Sequence, residues 1–195
     1  TIGPPDCGKS KLITLLQKTL GDFLGTFDSE VLVSSKAKSD REPARQWTWL
    51  ASGELYTKRI IAGSEMKLPT DEVRTPFGRT EQRLRPLDAV AIKTLVSGGD
   101  DPISMRVLHS NEFKAVNHAY VMLLSNDVPP AKPVDDAYRR RANYIEYDRG
   151  ASSEITQDTA TQFVKDSTID DFVVRDDVAD AFIALLCAYY ALSKR

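Results

Sequence analysis

The chain has 195 residues, of which 42% are hydrophobic and 28% are charged, and its formal net charge at pH 7 is −2. This balance is typical of a globular domain, and it excludes a disordered chain, a collagen-like chain and a histone-like polycation. Two cysteines and two histidines are too few for a zinc site or a disulfide framework, and no apolar run reaches the roughly 18 residues of a membrane span. We therefore expect an intracellular protein that is not secreted and has no membrane segment.

The first motif is a phosphate-binding loop, because residues 3–10 fit the pattern G-x-x-x-x-G-K-[ST]. Its members, which we expect to contact a nucleotide, are Gly3, Pro4, Pro5, Asp6, Cys7, Gly8, Lys9 and Ser10. In such a loop, backbone N–H groups bind the phosphates, Lys9 reaches the β- and γ-phosphates, and the Ser10 hydroxyl ligates Mg²⁺. The pattern also arises by chance in a glycine-rich turn before a helix.

The sequence that follows the loop supports the motif, while little sequence precedes it. Apolar residues at three- and four-residue spacing over residues 12–24 predict the helix that should follow it. A strand should precede it, but only residues 1 and 2 remain for one, so we expect the first strand to be truncated or to begin upstream.

Hydrophobic periodicity and turn residues place the other elements. In chain order they are a strand at 30–34, a loop at 35–42, a helix at 43–56, a strand at 58–62, a loop at 66–86, a helix at 87–96, a turn at 97–102, strands at 103–108 and 113–116 around a tip at 109–112, a buried central strand at 119–125, a loop at 127–135, a strand at 144–147 and a helix at 176–193. This order predicts an α/β fold of the P-loop NTPase type, with a central, mostly parallel sheet flanked by helices. We expect an ATPase core over residues 1–150 and a small helical appendage over residues 151–195.

Two polar residues at strand ends are candidates for catalysis. Glu65 follows an apolar strand, where an acidic residue can hold Mg²⁺ and polarise the attacking water, although it can also be an ordinary surface glutamate. Asn126 follows the most apolar strand and can orient the water or contact the γ-phosphate. Its alternative role is to initiate a turn before two prolines.

Three successive arginines, Arg139, Arg140 and Arg141, do not suit an apolar core. One of them can reach a phosphate across a subunit boundary as an arginine finger. The other interpretation is a solvated basic patch.

In their order along the chain, five motifs resemble those of superfamily III helicases: Gly-Pro-Pro-Asp-Cys-Gly-Lys-Ser, Arg-Ile-Ile-Ala-Gly-Ser-Glu, Ser-Gly-Gly-Asp-Asp, Leu-Leu-Ser-Asn-Asp-Val-Pro-Pro and Asp-Asp-Ala-Tyr-Arg-Arg-Arg. The chain looks most like the helicase half of primase-helicases of large DNA viruses and satellite phages, over residues 1–148. The resemblance implies an AAA+-like DNA helicase that forms a ring, usually a hexamer, with ATP and Mg²⁺ between subunits and a primase domain upstream.

The resemblance also assigns residue roles. Lys9 and Ser10 match the phosphate loop, Glu65 the acidic motif and metal site, Asn126 the sensor, and Arg140 the finger position, with Arg139 and Arg141 as rivals.

A further motif of this family supplies contacts to single-stranded or forked DNA. It includes a helical lysine, matched by Lys93, and a Gly-Gly-Asp turn, matched by residues 98–100. It also includes a hairpin that reaches into the channel, matched by residues 103–116. Arg106, His109 and Lys114 are its candidates for sequence-independent phosphate contacts. A polar hairpin that contacts nothing is the alternative for these residues.

Other functions fit part of the pattern. A different P-loop ATPase, such as a loader, remodeller or packaging motor, can use the same site to act on a protein partner. Its ATP turnover would not be stimulated by nucleic acid. A non-catalytic oligomerisation module is a second alternative, but the presence of Lys9, Ser10 and Glu65 argues against it. A small-molecule kinase would have no use for the hairpin or the arginine cluster.

Overall fold

The structure is a computed structural model that describes residues 1–34, 47–66, 69–74, 80–97 and 101–194. It has the mixed α/β architecture predicted from the sequence, with a parallel sheet flanked by helices. The described strands are β1 (Leu24–Phe27), β2 (Ile60–Glu65), β3 (Thr70–Arg74), β4 (Thr80–Leu84), β5 (Leu87–Asp88), β6 (Ile103–Arg106), β7 (Glu112–Ala115), β8 (Tyr120–Leu124), β9 (Ala131–Lys132), β10 (Gly150–Ser152) and β11 (Gln162–Val164). The described helices are α1 (Lys9–Leu20), α2 (Thr48–Ser52), α3 (Ala89–Leu95), α4 (Asp136–Arg141), α5 (Ile169–Phe172) and α6 (Asp176–Ser193), with 3₁₀ turns at Gly21–Phe23, Ser29–Leu32 and Leu55–Thr57.

The central sheet has the order β1-β2-β8, and its three strands are parallel. Ile2 extends the sheet beyond β8 through single parallel bridges to Ser125 and to Glu146. The strand predicted at 144–147 is therefore present only as one bridge. The chain passes from Ile2 through α1 to β1 on the far edge, so it skips two strands. Ligands of open α/β sheets bind at the carboxyl ends of the strands where the order changes in this way.

The first helix ends earlier than its leucine spacing predicts. Gly21 adopts φ 52°, a conformation that favours glycine and ends a helix. As a result, Leu24 begins β1 instead of continuing α1. The prediction of a strand at 30–34 is wrong, because Ser29–Leu32 is a 3₁₀ turn capped by the Asp28 side chain.

The prediction of a loop at 66–86 is also wrong, since β3 and β4 pair as antiparallel strands. Half of the positions in these two strands are charged, and they lack the apolar alternation on which a strand prediction depends. The hairpin predicted at 103–116 is confirmed, because β6 and β7 pair antiparallel. The predicted loop at 35–42, the start of the helix predicted at 43–56, and turn residues 98–100 lie outside the described residues.

The hydrophobic core packs around β2. Leu50, Ile61 and Met105 are fully buried, and Phe27 stacks on Trp49 with ring centroids 4.8 Å apart. The central strand β8 is less buried than predicted: its side chains are mostly half-buried, and they line a cavity of about 570 Å³ beside α3 and α4.

The segment beyond residue 150 contains the parallel pair β10–β11 as well as two helices. α6 begins at the predicted residue and packs against α1, where Lys18 pairs with Asp176 at 2.5 Å. Lys11 of α1 also pairs with Asp170. None of the described helices is long and apolar enough to cross a lipid bilayer.

An ion pair joins α3 to α4. Lys93 Nζ donates to Asp135 Oδ2 at 2.5 Å, and Asp135 Oδ1 accepts from the Tyr138 N–H at 2.8 Å as the N-cap of α4. The hydrogen bond from Lys93, followed by that from the Tyr138 backbone, holds the pKa of Asp135 below its usual value of 3.8. The carboxylate is therefore stabilised in its charged form in the folded protein.

We predict that Asp135→Asn lowers the urea midpoint at pH 7, because asparagine still caps the helix but leaves Lys93 without an anion. A carboxyl with a lowered pKa in the folded state stabilises the fold above its unfolded pKa, and this contribution disappears as the pH falls through the folded pKa. The difference between the variant and the wild type should therefore shrink as the pH falls below 3.8.

The matched control for this measurement is Asp136→Asn, which removes the neighbouring charge from an exposed pair with Arg139. Exposed pairs of this kind contribute little, so its midpoint should change less. Equal midpoints for Asp135→Asn and the wild type at pH 7 would contradict the stabilising role of the Lys93–Asp135 pair.

Candidate active site

The loop of residues 3–10 is fixed by close backbone packing. A Cβ on Gly3 would lie 2.7 Å from the Tyr147 backbone oxygen, and one on Gly150 would lie 2.7 Å from the Pro5 carbonyl oxygen. The Ala151 N–H also donates to the Asp6 carbonyl at 3.1 Å. The segment after Glu146 therefore supports the loop from outside the sheet.

Two residues of the loop have a left-handed conformation, Asp6 with φ 57° and Gly8 with φ 90°. Gly8 is the N-cap of α1, and a Cβ at Gly8 would meet no atom within 4 Å. The space beside the helix N-terminus is thus open. The first turn of α1 contains no acidic residue, so its free N–H groups and the positive end of its dipole suit an anion.

Lys9 lies at the centre of this loop, and only 6% of its surface is exposed. Its Nζ donates to the carbonyl oxygens of Gly3 at 2.6 Å and Pro4 at 2.9 Å, to Cys7 Sγ at 3.2 Å, and to Asn126 Oδ1 at 3.2 Å. All four acceptors are neutral groups, and no described carboxylate pairs with Lys9. A buried cation without a counterion favours an anionic ligand.

Ser10 and Glu65 line one cleft of about 700 Å³ at the carboxyl ends of β1 and β2. Asp28 and Ser64 line the same cleft, and both Ser10 and Glu65 are exposed to it. The sequence interpretation missed Asp28, because it placed the strand at 30–34. With β1 ending at Phe27, Asp28 is an acidic residue directly after a parallel strand, which is the same signal that identified Glu65.

The residues of the loop and the cleft fit a nucleoside triphosphate with Mg²⁺. The buried Lys9 and the open helix N-terminus suit the phosphates. Mg²⁺ is usually held by one or two carboxylates, a hydroxyl, water and phosphate oxygens, and the cleft offers Glu65, Asp28 and Ser10. The described residues contain no cluster of three or more His, Cys, Asp or Glu side chains that could hold a metal alone.

The structure brings Asn126 to the loop through its hydrogen bond with Lys9. The arginines lie in the last turn of α4, and all three are exposed. Arg139 pairs with Asp136 at 3.1 Å, and Arg141 donates to the Ala137 carbonyl at 3.1 Å. The guanidinium of Arg140 has no such partner among the described residues, so it is available to a neighbouring molecule.

The predicted nucleic-acid contacts do not form one cluster. His109 lies in the exposed tip between β6 and β7 with φ 61°, and Lys114 is exposed on β7. Arg106 is half-buried, and its Nε donates to the Ser110 carbonyl at 3.1 Å, so it helps to shape the tip. Lys93 forms an ion pair with Asp135, the N-cap residue of α4, whereas His109 and Lys114 of the hairpin are exposed.

Comparisons with known proteins identify viral relatives. The chain is 26% identical over 189 residues to "Putative helicase V13" of Sputnik virophage, a match that covers 96% of this chain and 22% of that protein. It is 28% identical over 142 residues to "Putative helicase L207/L206" of Acanthamoeba polyphaga mimivirus, over 72% of this chain and 12% of that protein. The chain thus spans less than a quarter of the length of either relative.

The fold is similar to that of the NrS-1 C-terminal region in its apo form, with a TM-score of 0.51 and 16% identity over 91% of this chain and 33% of that one. No protein-family profile matches the chain. The predicted resemblance to viral helicases is confirmed by the two viral relatives, and the α/β fold by the structural similarity.

Proposed function

We propose that this chain is the ATPase motor domain of a viral replication helicase of the superfamily III, AAA+-like class. In this proposal, ATP is hydrolysed at the interfaces of a ring, and the ring moves along nucleic acid. The observation that carries the proposal is the buried Lys9, which bridges the phosphate-type loop and Asn126 from the end of the central strand β8. The viral helicase relatives support the choice of a nucleic-acid motor over other P-loop ATPases.

Each residue has a defined task in hydrolysis. Lys9 neutralises charge on the β- and γ-phosphates, and Ser10 with Glu65 would hold Mg²⁺. When bound, Mg²⁺ would neutralise part of the phosphate charge. Glu65 accepts a proton from the attacking water while the water oxygen bonds to the γ-phosphorus. The bond between the γ-phosphorus and the oxygen that bridges to the β-phosphate then breaks. The products are ADP and inorganic phosphate.

Asn126 and Arg140 complete the site. Asn126 exchanges its hydrogen bond with Lys9 for one to the γ-phosphate or the water, so it reports whether the γ-phosphate is present. Arg140 reaches the site of the next subunit, where it stabilises developing charge. An arginine supplied in this way makes hydrolysis depend on assembly of a homo-oligomeric ring, which we expect to be a hexamer.

The β6–β7 hairpin is the proposed contact with single-stranded or forked DNA. His109 and Lys114 are exposed on it, and Arg106 fixes its tip. Such contacts neutralise phosphates without reading bases, so binding should weaken as salt rises. We also propose that a primase domain lies elsewhere in the full protein and that the protein acts inside the infected cell.

The proposal predicts ATP turnover per subunit that rises with protein concentration, because the site is completed in trans, and rises again with single-stranded DNA. Steady-state phosphate release measures both effects. Glu65→Gln is the control and should bind ATP but release almost no phosphate. Turnover that single-stranded DNA leaves unchanged at every concentration would favour an ATPase that acts on a protein partner.

Arg140→Ala is predicted to lower turnover by about 10³-fold in the assembled ring while ATP binding is kept. The Arg139→Ala variant is the matched control, since Arg139 is held by Asp136, and it should retain most of the activity. Loss of activity in Arg139→Ala but not in Arg140→Ala would contradict the assignment.

Mixing two inactive variants tests the position of Arg140 directly. Arg140→Ala subunits keep Glu65, and Glu65→Gln subunits keep Arg140, so an equal mixture should recover about one quarter of the wild-type turnover in a closed ring with heterologous contacts. No recovery in a mixture shown to form mixed rings would contradict action across the interface.

A further inference from the structure

A buried serine connects the carboxyl ends of β1 and β2, beside the acidic residues Asp28 and Glu65. Ser29, directly after Asp28, is 1% exposed. Its Oγ donates to the Ser64 carbonyl at 2.5 Å, and its backbone N–H donates to Ser64 Oγ at 3.2 Å. Ser29 thus donates two hydrogen bonds to Ser64, and these connect the turn after β1 to the last residues of β2.

The carbonyl of Ser64 belongs to the peptide group whose nitrogen is that of Glu65. Because this peptide group is planar, the direction of the carbonyl fixes the orientation of the Glu65 backbone nitrogen and its Cα. The pairing of β2 with β8 shifts register between Ala62 and Glu65, so the sheet alone does not hold this peptide in a regular ladder. Irregularities of this kind re-aim a side chain beside a functional site.

Gly63 is part of the same arrangement. A Cβ at this position would overlap Ser29 Oγ and would lie 3.0 Å from Leu123 Cδ2. Because Gly63 has no side chain, the Ser29 hydroxyl can lie against β2 and reach the Ser64 carbonyl. A side chain on residue 63 would push the hydroxyl out of hydrogen-bonding position.

We propose that Ser29 is a positioning residue for Glu65: its buried hydroxyl fixes the Ser64–Glu65 peptide and so aims the Glu65 carboxylate at the attacking water. The inference rests on the proposed function, in which Glu65 accepts the proton of that water. Ser29 is buried and is not among the residues that line the cleft, so we expect it to make no contact with the nucleotide. Its removal should therefore lower the rate of the chemical step and leave nucleotide affinity unchanged.

The experiment measures kcat and KM for ATP, and the Kd for a fluorescent ATP analogue, in assembled Ser29→Ala. We expect kcat to fall about tenfold, since misplacing a catalytic group is costly, while KM and Kd change by less than twofold. The control is Asn117→Ala, which also loses a buried hydrogen bond, from Asn117 Nδ2 to the Leu95 carbonyl at 2.8 Å, but before the amino end of β8. It should lower Tm by a few degrees without lowering kcat.

A double-mutant cycle separates positioning from general damage to the fold. Gly63→Ala displaces the Ser29 hydroxyl, so it should lower kcat by a similar factor, and the double variant Ser29→Ala/Gly63→Ala should be no slower than either single variant. If the two substitutions acted independently, their tenfold losses would multiply, and kcat of the double variant would fall about a hundredfold.

The outcomes are distinct. If the wild type is active and Ser29→Ala has the same kcat, the inference is overturned and the proposed function is left intact. A matching loss in Asn117→Ala, or a multiplicative double variant, also overturns the inference. A wild-type protein that forms rings but releases no phosphate from ATP, with or without DNA, overturns the proposed function and the inference with it. Turnover that DNA leaves unchanged overturns only the nucleic-acid part of the proposed function, and the Ser29 variants still test the inference.

Discussion

The structure depends on one buried ammonium group. Lys9 is held by two carbonyl oxygens of its own loop, a thiol and the Asn126 amide, and all of these are neutral acceptors. Neutral hydrogen bonds reduce the cost of burying the charge but do not cancel the charge itself. In the proposed function, a polyanionic phosphate chain would compensate this charge. The open space beside Gly8 and the helix N-terminus would admit that anion.

The remaining features of the site follow from the order of the sheet. Because β1, β2 and β8 are parallel, their carboxyl ends bring Asp28, Glu65 and Asn126 to the edge where the loop lies. The Ser29–Ser64 hydrogen bonds connect two of these ends. Arg140 is exposed in the last turn of α4, and in the proposed function its action on a neighbouring site would link hydrolysis to assembly.

Features with a clear local pattern could be predicted from the sequence, while features without such a pattern and those that depend on distant contacts could not. The phosphate-type loop, α1 and the β6–β7 hairpin each follow from short patterns of glycine, charge and apolar spacing. Asp28 and Ser29 were missed because Leu24 continues the leucine spacing of α1, which concealed the turn at Gly21 and the start of β1. The β3–β4 pair has no apolar alternation. The partner of Lys93 is Asp135, 42 residues further along the chain, and no local pattern predicts that ion pair.

The role of Lys9 is tested most directly by the equilibrium affinity of the assembled protein for an ATP analogue with Mg²⁺, compared between wild type, Lys9→Met and Lys11→Met. Lys11 is a matched control on the same helix, where it pairs with Asp170 at the surface. We predict that Lys9→Met weakens binding by about 30-fold or more, as expected for losing a buried charged contact, while Lys11→Met binds like the wild type. Equal affinity in Lys9→Met and wild type would contradict the assignment of this loop as the phosphate site.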